Sequence, residues 1–224
     1  MSEIVIYYLK NENIGNFLSR NGIELDHIVR EGDRNMQMLV REIKTIPRFC
    51  RDESAISLSH LMGTFSANII LYALVDDKLA GILTFMFNEN SKRERTIEFD
   101  GICSPETYKG TGLGASLIRT LIDIARGTGT SYIHLECKGD DLMRYYRTFG
   151  FKVTGQKRVY DSDESSDEEG VPNYTMALRV SVASGGKRRK QSKKTNKPNK
   201  TNKKTKKSKC CQKKRQTRRK RFRL

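Results

Sequence analysis

No stretch of this 224-residue chain approaches the roughly 18 consecutive apolar residues that a membrane-spanning helix needs. The opening MSEIVIYYLKNEN also lacks the basic flank and long apolar centre of a secretory signal. The expectation is a soluble, intracellular protein without a membrane partner. Cysteine is sparse: Cys50, Cys103 and Cys137 stand far apart and Cys210 and Cys211 are adjacent, so no disulfide framework is expected. There is no C-x-x-C or H-x-x-x-H pair. His134 and Cys137, three apart on a segment of strand character, point to opposite faces, so no metal site is expected.

Acidic residues are missing from one region altogether. From Gly185 to Leu224 there are 21 Lys and Arg and no Asp or Glu, leaving 22 basic against all 26 acidic side chains in residues 1–184. The whole-chain net charge of +17 is therefore a property of the C-terminal tail, and charge-based arguments about partners apply to the tail rather than to the body. With almost nothing to bury, residues 181–224 are expected to be disordered. Their charge would support salt-sensitive, sequence-independent nucleic-acid binding through residues 187–223, or nuclear import through Lys187 to Lys190 and Lys213 to Arg221. Phe222 is the tail's lone aromatic, so phosphate charge rather than base stacking would dominate.

Within residues 1–180 the pattern predicts a single α/β domain. Ile4 to Leu9 reads as a strand and Asn35 to Ile46 as an amphipathic helix, with Met36, Leu39, Val40 and Ile43 on one stripe. Pro47 to Ser66 is ambiguous, with helix favoured over strand. A hairpin follows, IILYALV and LAGILTFMF about a turn at Asp76 to Lys78, and then a strand from Thr96 to Cys103. The period then changes: Leu113, Leu117, Ile118, Leu121, Ile122 and Ala125 form a helical stripe closed by Gly127 and Gly129. Ser131 to Cys137 reads as a buried strand. Asp140 and Asp141 open a helix that Gly150 ends, and Lys152 to Gln156 and Tyr174 to Val180 read as closing strands. The loop DSDESSDEEG, residues 161–170, holds six acids between Asp161 and Glu169 and nothing to bury. The fold predicted is a mixed, mostly antiparallel sheet with helices on both faces, plus the disordered tail.

The most informative segment is Lys109-Gly110-Thr111-Gly112-Leu113-Gly114-Ala115, between a strand and a helix. Glycines let a backbone approach an anion closely, and free N–H groups at a helix start point toward it. A merely tight turn is the plain alternative. Gly110, Gly112 and Ala115 also satisfy the dinucleotide pattern G-x-G-x-x-G/A, with Glu136 about where a ribose-binding acid would stand. Against that reading, Ser104 to Tyr108 separates the strand from the first glycine, and too little chain follows for five or six parallel strands.

The run CSPETYKGTGLGASL, from Cys103 to Leu117, resembles instead the acyl-CoA loop of the GNAT superfamily of N-acetyltransferases, Val-x-Pro-x-x-(Arg/Gln)-(Arg/Lys)-Gly-x-Gly-x-Gly/Ala. A second block, LMRYYRTFGF from Leu142 to Phe151, is similar to that family's A-x-x-L-Y-x-x-x-G-F segment. The resemblance covers roughly residues 1–180. It implies an acetyl-CoA-dependent enzyme in which an amine attacks the thioester directly, without a metal or a covalent enzyme intermediate. The backbone of Lys109, Gly110, Thr111, Gly112, Leu113, Gly114 and Ala115 would hold the pyrophosphate, and the main chain of Ile102 and Cys103 the pantetheine arm. A buried structural cysteine is the reading of the Cys103 side chain.

Tyr146 matches the family's tyrosine that protonates or hydrogen-bonds the leaving sulfur, although Leu142, Tyr146 and Phe149 share a helical face that core packing alone would explain. Tyr145 lies on a different face and is the weaker candidate. Glu98 and then Asp100 are the candidates for a base acting through water: they alternate onto one face of a strand, where mutual repulsion would raise one pKa. Two solvated carboxylates in an open cleft are the alternative. Two departures stand out: Gly139 where the family often has a cofactor-contacting Asn, and Lys109 in place of the commoner Arg. The acceptor implied is an amine, such as a polyamine or a basic protein drawn by the acidic loop. A domain that has lost catalysis and binds nucleic acid through its tail is the alternative function.

Overall fold

The computed structural model describes residues 3–9, 12–46, 49–50, 63, 69–159 and 170–181. All of them belong to one compact unit, Met1–Ser184. The acidic run from Asp161 to Glu169, the basic tail and most of the segment from Pro47 to Ser66 lie outside the described residues.

Eight strands form one sheet in the order β2-β1-β3-β4-β5-β6-β8-β7. They are β1 (Ile4–Leu9), β2 (Arg30–Glu31), β3 (Ile69–Val75), β4 (Lys78–Glu89), β5 (Arg95–Cys103), β6 (Tyr132–Lys138), β7 (Lys152–Val159) and β8 (Val171–Arg179). The pairings β1/β2 and β5/β6 are parallel and the rest antiparallel, so the mixed sheet expected from the sequence is the one observed. The β3–β4 turn is tighter than the sequence suggested. Asp76 and Asp77, both at positive φ (49° and 62°), make a two-residue connection whose twist matches the strands it joins.

Strand alternation divides the core in two. Ile69, Leu71 and Ala73 of β3 face a large cluster with the helices α1 (Glu12–Arg20), α3 (Leu113–Gly127) and α4 (Asp140–Arg147). Ile70, Tyr72 and Leu74 face a smaller one with α2 (Met36–Thr45), so helices lie on both faces. Asn35 caps α2, its side chain accepting the N–H of Met38. Leu113, Leu117, Ile118, Leu121, Ile122, Ile124 and Ala125 bury one side of α3. Burial of each larger aliphatic side chain contributes about 1.5–3 kcal/mol, which is why the 3.6-residue period was so clear there. Neither α1 nor β2 was anticipated.

The cysteines depart from expectation. Cys50 and Cys103 form a disulfide, their Cα atoms 4.8 Å apart across a sequence separation of 53. Phe49 and Cys50, just beyond α2, pack on the same face as Cys103, so the fold brings together two residues that sequence spacing keeps apart. Cys137 is free and buried.

Gly139, which caps α4, has φ 86° and ψ 157° and donates its N–H to the Pro172 carbonyl at 2.8 Å. That backbone region is essentially open to glycine alone. An asparagine is thus disfavoured by the backbone conformation at this position. Gly139→Asn is expected to cost about 1–3 kcal/mol, seen as a lower urea midpoint at unchanged slope; an unchanged midpoint would contradict the assigned backbone geometry.

Candidate active site

After β5, Pro105 leads into a single 3-10 turn, Glu106–Tyr108. Gly110 (φ 77°) and Gly112 (φ 84°) then reverse the chain into α3 through conformations that a side chain would resist. Inside this turn the N–H of Lys109 donates to the Glu106 carbonyl at 2.9 Å and that of Thr111 to the Tyr108 carbonyl at 3.2 Å. Ser116 donates to Gly112 at 2.9 Å, as the first bond of the helix. Among the described residues, nothing accepts the N–H groups of Gly110, Gly112, Leu113, Gly114 or Ala115. Within the segment from Lys109 to Ala115, these five are the available anion donors, reinforced by the dipole of a 15-residue helix. The turn is pinned from below by Leu113, buried over Gly81; a Cβ at Gly81 would stand 2.6 Å from the Leu113 side chain.

Beside the turn, the sheet opens. β5 and β6 pair from Thr96↔Tyr132 to Phe99↔Leu135, and there the ladder stops. β5 continues to Cys103 against β4, and β6 continues to Lys138 against β8. Beyond that point β5 and β6 diverge as a fork, with the inner edges of Gly101–Cys103 and Glu136–Cys137 outside the β5–β6 ladder, and the glycine turn follows directly from its β5 arm. Ile102 and Cys103, the candidate pantetheine contacts, lie on that arm.

The two faces of the fork differ in chemistry. On the core side α4 carries Tyr146, 7% exposed, with ring contacts to Phe99 (5.8 Å) on the last β5–β6 rung and to Phe151 (5.9 Å). Burial holds the phenol pKa well above its ordinary value, and neighbouring Cys137 and Tyr145 add to that. Its hydroxyl has no hydrogen-bond partner among the described residues. Burial also pushes the Cys137 thiol up to about 11, so both groups stay protonated near neutrality. The N-terminus of α4 is tied to the sheet by Tyr174, whose hydroxyl donates to the Asp140 carboxylate. Tyr145, the weaker candidate by sequence, reaches α3 instead: a Cβ on Gly114 would lie 3.2 Å from its hydroxyl.

On the opposite side, alternation places Glu98 and Asp100 of β5 together with His134 and Glu136 of β6. Glu98 is directly in register with His134. Thr84 donates to Asp100 at 3.2 Å; Asn173 (3.2 Å) and Lys157 (3.6 Å) both approach the same Glu136 oxygen. The Glu98 pKa is raised, but the dominant cause is burial rather than the mutual repulsion expected from the sequence. His134 opposes the shift, and Glu136 and Asp100 add to it. No helix among the described residues covers this half of the sheet face. His134 was not foreseen as part of the cluster, because only strand pairing puts it beside Glu98.

The chain matches the pattern of the acetyltransferase (GNAT) family over residues 38–151, just over half its length. It is 40% identical over 69 residues to the N-alpha-acetyltransferase RimI of Mycobacterium tuberculosis, a match spanning 31% of this chain and 40% of that enzyme. A Bacillus subtilis acetyltransferase in complex with CoA superimposes with a TM-score of 0.50 at 16% identity, covering 66% of this chain and 95% of that one. A GNAT family acetyltransferase from Elizabethkingia anophelis with acetyl-CoA bound gives a TM-score of 0.46 at 14% identity, over 55% of this chain and 84% of that one. The matched span runs from α2 through the fork, the glycine turn and the Tyr146 helix, and the chain belongs to the GNAT acetyltransferase family.

Proposed function

We propose that the protein transfers an acetyl group from acetyl-CoA to a primary amine by direct attack within a ternary complex. The observation that carries this reading is the fork, which lies beside an unsatisfied anion cradle and has a protonated phenol on one face and carboxylates on the other. The free amides of Gly110 and of Gly112 to Ala115 suit the pyrophosphate. The unpaired edge of Ile102 and Cys103 suits the amide-bearing pantetheine arm, which would replace the missing rungs of the ladder. The thioester then lies between a proton donor and a proton acceptor, the arrangement that aminolysis requires.

Glu98 serves as the base that accepts the amine proton through water, with Asp100 as the second candidate. Its raised pKa narrows the gap to the proton it must take, and His134 in register stabilises the ionised form. Tyr146 donates to the departing thiolate, which meets a hydroxyl with no competing partner. The acceptor is an amine of a cationic molecule, a polyamine or a lysine-bearing basic protein. Supporting this class, the open face presents Glu98, Asp100 and Glu136. The mycobacterial relative, an N-alpha-acetyltransferase, adds peptide α-amines to the acceptors worth testing.

The test is thiol release from acetyl-CoA by the full chain against polyamines, basic peptides and peptide α-amines. A folded protein that neither binds acetyl-CoA nor releases thiol with any acceptor overturns the assignment. Tyr146→Phe keeps the ring packing and is expected to lower kcat by about 10²–10⁴-fold with little change in the KM for acetyl-CoA; an unchanged kcat removes Tyr146 from the chemistry. The pH profile of kcat/KM should rise as Glu98 ionises, with its acidic limb displaced above the ordinary glutamate range near about 4.3, and Glu98→Gln should abolish that limb together with most of the rate. A raised folded-state pKa means that the native protein binds this proton more tightly than the unfolded chain. The resulting stability is present at low pH and is lost as pH rises through the folded pKa. Glu98→Gln is therefore expected to be at least as stable as the parent at neutral pH, which urea unfolding checks.

A further inference from the structure

We propose that Cys50 and Cys103 form a reversible redox modification site that exchanges with small thiols and disulfides of the glutathione class, and that its state sets the order of the β5 arm of the fork. The link to acetyl-CoA binding rests on the function proposed above; the exchange chemistry does not.

The two sulfurs are bonded in the structure, yet they differ in access. Cys103 is 5% exposed and sits in the smaller core cluster, whereas Cys50 is half-buried at its edge. Attack by an external thiol depends on access, so Cys50 is the sulfur that a small molecule meets. Cys50 also has φ 61°, a left-handed conformation that a non-glycine residue rarely adopts, and the disulfide, once formed, holds it there. Opening the bond frees that residue to relax.

In the closing direction, the Cys50 thiolate attacks one sulfur of glutathione disulfide and expels a glutathione thiolate. The Cys103 thiolate then attacks the Cys50 sulfur of the mixed disulfide and expels the second. Two cysteine thiols are oxidised, one glutathione disulfide is reduced to two thiols, and the two cysteine protons pass to the two leaving glutathione sulfurs. Excess glutathione reverses each step.

The consequence follows from position. Cys103 is the last residue of β5, paired with Ile82 on one side and free of β6 on the other. Half of its strand's hydrogen-bonding partners are thus missing where the arm leads into the glycine turn. A covalent tie to residue 50, just beyond α2, replaces some of that lost restraint. The closed form presents the Ile102–Cys103 edge already ordered, so less entropy is lost when acetyl-CoA binds.

The experiment equilibrates the full chain in buffers of varied reduced-to-oxidised glutathione ratio. Free thiols are then trapped by alkylation and the peptides containing Cys50 and Cys103 are read by mass spectrometry, which keeps Cys137, Cys210 and Cys211 separate. The joined peptide pair is expected to rise and fall with the ratio. On closure, amide hydrogen exchange at residues 101–105 should slow by roughly tenfold, and the KM for acetyl-CoA should fall by about fivefold or more. Cys50→Ser should keep the open-state exchange rate and KM in every buffer. A pair that stays reduced in excess oxidised glutathione, or stays joined in the native protein in excess dithiothreitol, overturns the exchange site. Closure without any change in exchange at residues 101–105 overturns the coupling to β5. If exchange changes as expected but neither form binds acetyl-CoA, the function proposed above fails and the redox site stands.

Discussion

The site depends on a ladder that stops. β5 and β6 are held together at one end by Arg95, whose guanidinium donates to the Thr128 carbonyl at 2.6 Å and to that of Asn21 at 3.1 Å, while the N–H of Ser131 donates to the Arg95 carbonyl. At the other end each strand has a different outer partner, β4 or β8, and follows it. The shift in the β4–β5 register between Thr84 and Phe85 falls opposite the residues where β5 leaves β6. A buried unpaired main-chain edge costs free energy, so it persists only where water or a ligand completes it. The opening is therefore a place where a ligand's main-chain-like groups could replace water, which is the basis of the function proposed above.

The fork also lets one sheet keep incompatible chemistries apart. On the core side, burial beside Phe99 and Phe151, without a nearby cation, keeps the Tyr146 phenol protonated until a strong base such as a thiolate reaches it. A carboxylate able to accept a proton needs access to water, and on the opposite side Glu98 and Asp100 are only partly buried. Were Tyr146 and Glu98 on the same face, the negative charge would raise the phenol pKa further and a shared hydrogen bond would occupy both groups. Across the plane of the sheet each is available, in the function proposed above, to a substrate that threads between the strands.

Much of this was legible in the sequence, and the parts that were not share a cause. The hairpin of β3 and β4, the α3 stripe and the glycine turn carry local signals: alternation, the 3.6-residue period and special backbone positions. The fork carries none, because it is an absence of pairing between strands distant in sequence, whose paired rungs run from Thr96↔Tyr132 to Phe99↔Leu135. His134 beside Glu98 and Cys50 beside Cys103 are likewise products of topology. Among the described side chains of α1 only Ile14 and Leu18 are buried, and β2 has two residues, too few for a period to emerge. The raised Glu98 pKa was foreseen in direction but given the wrong leading cause, since burial cannot be read from a strand pattern alone.

The glycine pattern shows why a motif needs its surroundings. Gly110, Gly112 and Ala115, with Glu136 downstream, satisfy the dinucleotide fingerprint as well as the acyl-CoA one. In a dinucleotide fold the first strand and the next parallel strand stay paired, and the acid at the end of the second faces the ribose. Here the corresponding pair separates after Phe99 and Leu135, the second strand turns to an antiparallel neighbour, and Glu136 is engaged by Asn173 and Lys157 on the open face. Both families place a phosphate on the same kind of helix start. What differs is the space next to it: a closed parallel sheet leaves a crevice above the strand ends, whereas parted strands admit an extended arm into the sheet itself. In the function proposed above, the turn suits the phosphate and the fork suits the long, amide-bearing thioester arm.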